Sequence, residues 1–150
     1  MKILIKLFAM FVFVLSLTGC SSTQALNDLF ETKIIIKEIE AWLNLMPGGP
    51  GSFHITGKYF LSDELADDEV FLDKVIITEG EQTYYNIKPE IHPQESDQKG
   101  LKEFQFYNSI DTSINPMLRN KDKIDVKLIF SYNKNLIEKS FRNVQLNKVY

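Results

Sequence analysis

From residue 32 onward, apolar and polar side chains alternate with a period of two. Ile39, Ala41, Leu43 and Leu45 alternate with Glu38, Glu40, Trp42 and Asn44, the mark of a strand with one face buried. Ile34, Ile35 and Ile36 precede this run, and Lys37 falls in its apolar phase. A bulge or a crossover between sheets near Lys37 would reconcile the two parts. Residues 46–51 (Met-Pro-Gly-Gly-Pro-Gly) must form a loop, because Pro lacks the ladder donor and Gly weakens strands. A second strand follows, with Phe53, Ile55, Tyr59 and Leu61 in one phase. Gly57 sits in its middle, where a missing side chain suggests a bulge or a large group crossing above.

The rest of the chain continues in this way. Residues 62–69 read as an acidic loop, 70–78 as a mostly apolar third strand, 79–82 as a hairpin turn and 83–88 as a fourth strand closed by Pro89. Residues 91–100 read as a polar loop. Residues 101–110 form a fifth strand, with Phe104, Phe106 and Ile110 in phase, and 111–121 a turn-rich connection. Ile124, Val126, Leu128, Phe130 and Tyr132 give the cleanest alternation in the chain. Asn133-Lys134-Asn135 reads as a hairpin turn, since Asn tolerates positive φ. The last strand, 136–149, shifts phase between Phe141 and Val144, which calls for a bulge near Arg142-Asn143. Seven short strands with turns between them predict an all-β domain, an antiparallel seven-stranded β-sandwich of the immunoglobulin-like kind without its disulfide. A small barrel is the alternative.

The first twenty residues follow another pattern. Lys2 and Lys6 precede the apolar run from Leu7 to Leu15, and Leu17-Thr18-Gly19-Cys20 closes it. A basic start, a short apolar core and small residues before a cut lay out a secretory signal peptide. The apolar run is shorter than the roughly 20 residues that cross a bilayer. The segment resembles bacterial lipoprotein precursors, whose lipobox is Leu, a small residue, Gly or Ala, then Cys. The resemblance implies a diacylglyceryl thioether on the Cys20 sulfur, cleavage before Cys20 and acylation of the new amine. It divides the chain into a signal peptide (1–19), the lipidated cysteine with a tether (20–31) and a β-domain (32–150). It places that domain in the cell envelope, attached to a membrane through Cys20. Ser21, in place of the Asp that often retains lipoproteins at an inner membrane, favours the outer membrane.

Cleavage would leave 131 residues, enough for one domain that buries about two thirds of its unfolded surface. Lys2 and Lys6 leave with the signal, so 15 basic side chains face 20 acidic ones, a net charge of −5. That charge argues against nucleic acid as a partner. Cys20 is the only cysteine, so stability rests on an ordinary core rather than on a disulfide, with large apolar area drawn from the 11 Phe, 6 Tyr and one Trp of the whole precursor.

Chemistry is sparse. His54 lies in a strand phase facing away from the core and His92 in a loop, neither with ligands at metal-site spacing. Asp63, Glu64, Asp67, Asp68, Glu69 and Asp73 could offer oxygens to Ca²⁺, but EF-hand spacing is absent. No nucleophile motif and no phosphate loop occurs. No metal, cofactor or catalytic set is expected. The 46–52 loop, stiffened by Pro47 and Pro50, is the best contact surface. Trp42 and Phe60, in the phase opposite the core, could flank it as exposed aromatics. The expectation is a non-enzymatic module that binds an envelope protein. A structural accessory subunit of an envelope complex is the alternative, ahead of a Ca²⁺-binding or enzymatic lipoprotein.

Overall fold

The computed structural model describes residues 33–66 and 69–150. The expected signal peptide, Cys20 and the expected tether lie outside the described residues. The described elements are all β apart from one 3-10 turn, Pro116–Leu118. The strands are β1 (Ile34–Asn44), β2 (Ser52–Ser62), β3 (Val70–Glu79), β4 (Gln82–Ile87), β5 (Glu90–Gln94), β6 (Leu101–Tyr107), β7 (Lys123–Tyr132) and β8 (Asn135–Val149). They join in one curled sheet of order β4-β3-β7-β8-β1-β2-β6-β5.

Local sequence accounts for most of this. Ile34, Ala41 and Leu43 on β1 are buried, and the register with β2 shifts between Ile36 and Glu38, so Lys37 is the expected bulge. Gly57 lets the Phe106 ring cross above β2: a Cβ there would lie 2.6 Å from the ring and 2.6 Å from the Glu38 carbonyl oxygen. Asn133 and Lys134 turn β7 into β8 with φ of 46° and 65°, the mirror-image turn whose twist suits a two-residue hairpin. In β7, Ile124, Val126, Leu128 and Phe130 are all buried, as their alternation requires.

β8 joins the two halves. Ile124 pairs with Val144 and Val126 with Phe141, so Asp125 stands opposite the extra residues Arg142 and Asn143. Asn143 has φ 58°, and its N–H donates to Asp125 Oδ1 at 3.0 Å. Such a bulge bends and twists its strand. After Val144 and Gln145, which still pair with Ile124 and Lys123, β8 leaves β7 and runs parallel to β1, with Ala41 opposite Leu146 and Asn44 opposite Val149. The curl brings β2 side chains against the other half. Phe53 stacks on Tyr85 of β4 at 4.5 Å, and Tyr59 meets Phe130 of β7 edge-on at 5.2 Å.

Three expectations are corrected. There are eight strands rather than seven, because Glu90–Gln94, which takes in the start of the expected 91–100 loop, pairs with β6. This segment is short, polar and contains Pro93, which only an edge strand tolerates. The sheet is mixed rather than wholly antiparallel, because β8 outruns β7 and ends beside β1. The strand after Gly100 stops at Tyr107, and Ile110 is 75% exposed rather than in its buried phase.

Candidate functional site

β1 carries the chain from Lys33 at one end of the domain, here the proximal end, to the 46–51 loop at the other, the distal end. β2 returns it, and β8, parallel to β1, delivers the C-terminus to the distal end. The Leu45 N–H donates to the Val149 carbonyl at 2.7 Å. Residues 109–115 arrive there from β6 and run beside the start of β2: the Phe53 N–H donates to the Thr112 carbonyl at 2.8 Å, and Ser52 bridges Ser113.

Three polar side chains build this end. Asn108, only 3% exposed, extends the β2–β6 ladder past the last strand residue. Its Oδ1 accepts from the Ile55 N–H and its Nδ2 donates to the Phe53 carbonyl, each at 2.8 Å. Tyr85, held by its stack on Phe53, donates its hydroxyl to the Ser113 carbonyl at 2.8 Å and accepts from the Asn115 N–H at 2.6 Å. Asn44 Oδ1 accepts from the Met46 N–H at 3.1 Å and turns the chain out of β1. Gly51, at φ 77°, packs where a Cβ would fall 2.7 Å from Ile114 Cδ1.

Between the 46–51 loop and residues 110–113 lies a cleft of about 360 Å³, lined by Met46, Pro47, Pro50, Ile110 and Asp111 among others. Met46 is 52% and Ile110 75% exposed. Met117, Val149 and Tyr150 stand exposed at the same end. Ser52 also lines the cleft, and its Oγ lies 2.7 Å from His54 Nε2. Burial lowers the His54 pKa, and the ring stacks on Trp42 at 5.1 Å. A neutral imidazole hydrogen-bonded to a hydroxyl and stacked on an indole is a satisfied polar pair.

Of the residues expected to form a contact surface, Pro47 and Pro50 line the cleft. Trp42 is half-buried against His54, two residues from the end of β1, and is not among the lining residues. Phe60 is only 3% exposed and does not flank the loop; it pairs with Ile35 near the proximal end. The Lys37 ammonium lies 5.4 Å from the centre of the Phe60 ring, a cation on an aromatic face. Alternation could not show that contact. Ile110, Met117, Val149 and Tyr150 went unnoticed as surface. Their only signal was large apolar residues in a turn-rich connection or at a chain end.

Elsewhere, His92 is exposed and stacks on Tyr107 at 5.0 Å. In the acidic segment, Glu64 pairs with Lys33, and Glu69 Oε2 accepts from the Ala66 N–H at 3.0 Å. Among the described residues, no three His, Cys, Asp or Glu side chains gather as a metal site would need. No helix among them is long and apolar enough to cross a membrane. No protein-family model matches the chain, and no curated protein is similar to it.

Proposed function

We propose that the protein is a lipid-anchored bacterial envelope lipoprotein whose β-domain is a non-enzymatic module for binding a protein partner. The lipobox Leu17-Thr18-Gly19-Cys20 supports the anchor, and Ser21 favours an outer membrane where the cell has two. One observation carries the binding reading: Met46, Ile110, Met117, Val149 and Tyr150, five of the eight exposed large apolar side chains among the described residues, gather at the distal end. Solvent-facing apolar groups beside a loop stiffened by two prolines suit docking, because little freedom is lost on contact. The stacked pairs Phe53–Tyr85 and Tyr59–Phe130 support reading the curled sheet as the two faces of a sandwich of immunoglobulin-like kind.

Two measurements test the proposal. Metabolic labelling with a fatty acid should mark the wild type and miss Cys20→Ala, which should accumulate as the larger precursor; equal labelling would end the anchor reading. Cross-linking in intact cells through a photoreactive residue at Ile110 should capture one envelope protein. The same residue at Glu138, on β8 away from the cleft, should not capture it.

A further inference from the structure

Among the described residues, the exposed large apolar ones outside the distal end are Ile35, Phe71 and Leu136, 42%, 44% and 64% exposed. All three lie at the proximal end. Ile35 is the second residue of β1. Phe71 pairs with Ser131, and Ser131 with Leu136, so Phe71 and Leu136 flank one serine in a row across β3, β7 and β8. Contacts tie this row to the start of the domain. Lys33 pairs with Glu64, and the Glu69 carbonyl accepts from the Asn133 N–H at the tip of the β7–β8 turn. Among the described residues, none of the large exposed apolar groups belongs to the middle of the domain. Single exposed apolar residues are ordinary, but segregation to two opposite ends is not what random scatter gives.

We infer that the proximal end, through Phe71, Leu136 and Ile35, rests in the headgroup boundary of the bilayer that holds the lipid anchor. This rests on the anchor reading. The occupant follows from where the chain arrives. Residues 21–32 separate Cys20 from Lys33, and twelve residues reach at most about 43 Å when fully extended. The domain is therefore held beside the bilayer by the end that carries these side chains. A contact too weak to bind the free domain is enough at such an effective concentration. It would turn the distal cleft away from the membrane. Asp63, Glu64 and Glu69 share the proximal end with Lys33, Lys37, Lys102 and Lys134, the Lys102 ammonium donating to the Leu65 carbonyl at 2.9 Å. With both signs of charge present, the contact rests on its apolar side chains, and anionic headgroups should change it little.

The test uses the mature lipidated protein in phosphatidylcholine vesicles. Lipidation consumes the thiol of the only native cysteine, so Leu136→Cys can carry a fluorophore alone, with Met117→Cys as the distal control. Nitroxide-bearing lipid should quench the probe at 136 several-fold more than at 117. Adding Phe71→Ser should reduce the quenching at 136 at least twofold, whereas phosphatidylglycerol should change it by less than that. Equal quenching at the two sites, in protein that floats with the vesicles, would overturn the membrane contact and leave the anchor standing. Protein that does not float would remove the anchor and this contact together.

Discussion

Asn108 shows how one side chain can stand in for a strand. Its amide continues the β2–β6 ladder where β6 has ended, satisfying the Ile55 N–H and the Phe53 carbonyl in a buried setting. Asn108→Ala would orphan both groups. At about 1–3 kcal/mol for each buried unsatisfied group, a loss of roughly 2–4 kcal/mol is expected in urea melts. Asn108→Asp should also lose stability, because a carboxylate cannot donate to the Phe53 carbonyl. His54 sets a pH dependence of known sign. Burial holds its pKa below the ordinary 6.5, so the unfolded chain binds the proton more readily. Its contribution is fully present above pH 6.5 and is lost as pH falls from there through the folded value. Urea midpoints between pH 7.5 and pH 5.5 should therefore drop more for the wild type than for His54→Gln. An equal drop in both would show that His54 is not the source.

Among the elements, β7 is where pattern and structure agree best. Val126 is fully buried, whereas Lys127 on the opposite face is partly exposed and lies 3.3 Å from Glu138 of β8. Val126→Asp should cost several kcal/mol, by placing a carboxylate in the core without a partner. Lys127→Asp should cost about 1 kcal/mol or less, from the lost surface pair and the new like-charge neighbour. Comparable losses in urea would mean the strand is out of phase. The same logic explains what could be read beforehand. Strand phase, the bulges at Lys37 and Arg142-Asn143, the Asn133-Lys134 turn and the group crossing Gly57 all leave marks within a few residues. The pairing of β5 left none, because an edge strand needs no buried face and Glu90–Gln94 buries no residue. The parallel end of β8 was equally silent, since parallel and antiparallel partners ask for the same alternation. The distal surface was half legible: Pro47 and Pro50 announced a stiff loop, but Ile110 joined it only through the route taken by residues 108–115.

At the scale of the whole molecule, the same strands that build the core separate the two ends that bear exposed apolar groups. Function and stability should therefore separate under mutation. Ile110→Ser and Met117→Ser remove side chains that are 75% and 57% exposed, so each should change stability by about 0.5 kcal/mol or less. If the distal end docks a partner, the pair should nevertheless weaken capture from solubilised envelopes severalfold, because apolar anchors carry a large share of interface energy. Pro47→Ser with Pro50→Ser should weaken it less, by restoring freedom that docking must then remove. Trp42→Ala makes the opposite comparison. Its ring is half-buried on His54, so its loss should cost about 1–2 kcal/mol, below the ~3–5 kcal/mol of a fully buried ring. Trp42 does not line the cleft, so capture should persist wherever the variant remains folded. Measuring capture beside the urea melt of each variant decides the matter. Undiminished capture by the folded Ile110→Ser, Met117→Ser double variant would remove the distal end as the docking surface, and loss of capture in folded Trp42→Ala would move that surface onto the outer face of β1 and β2.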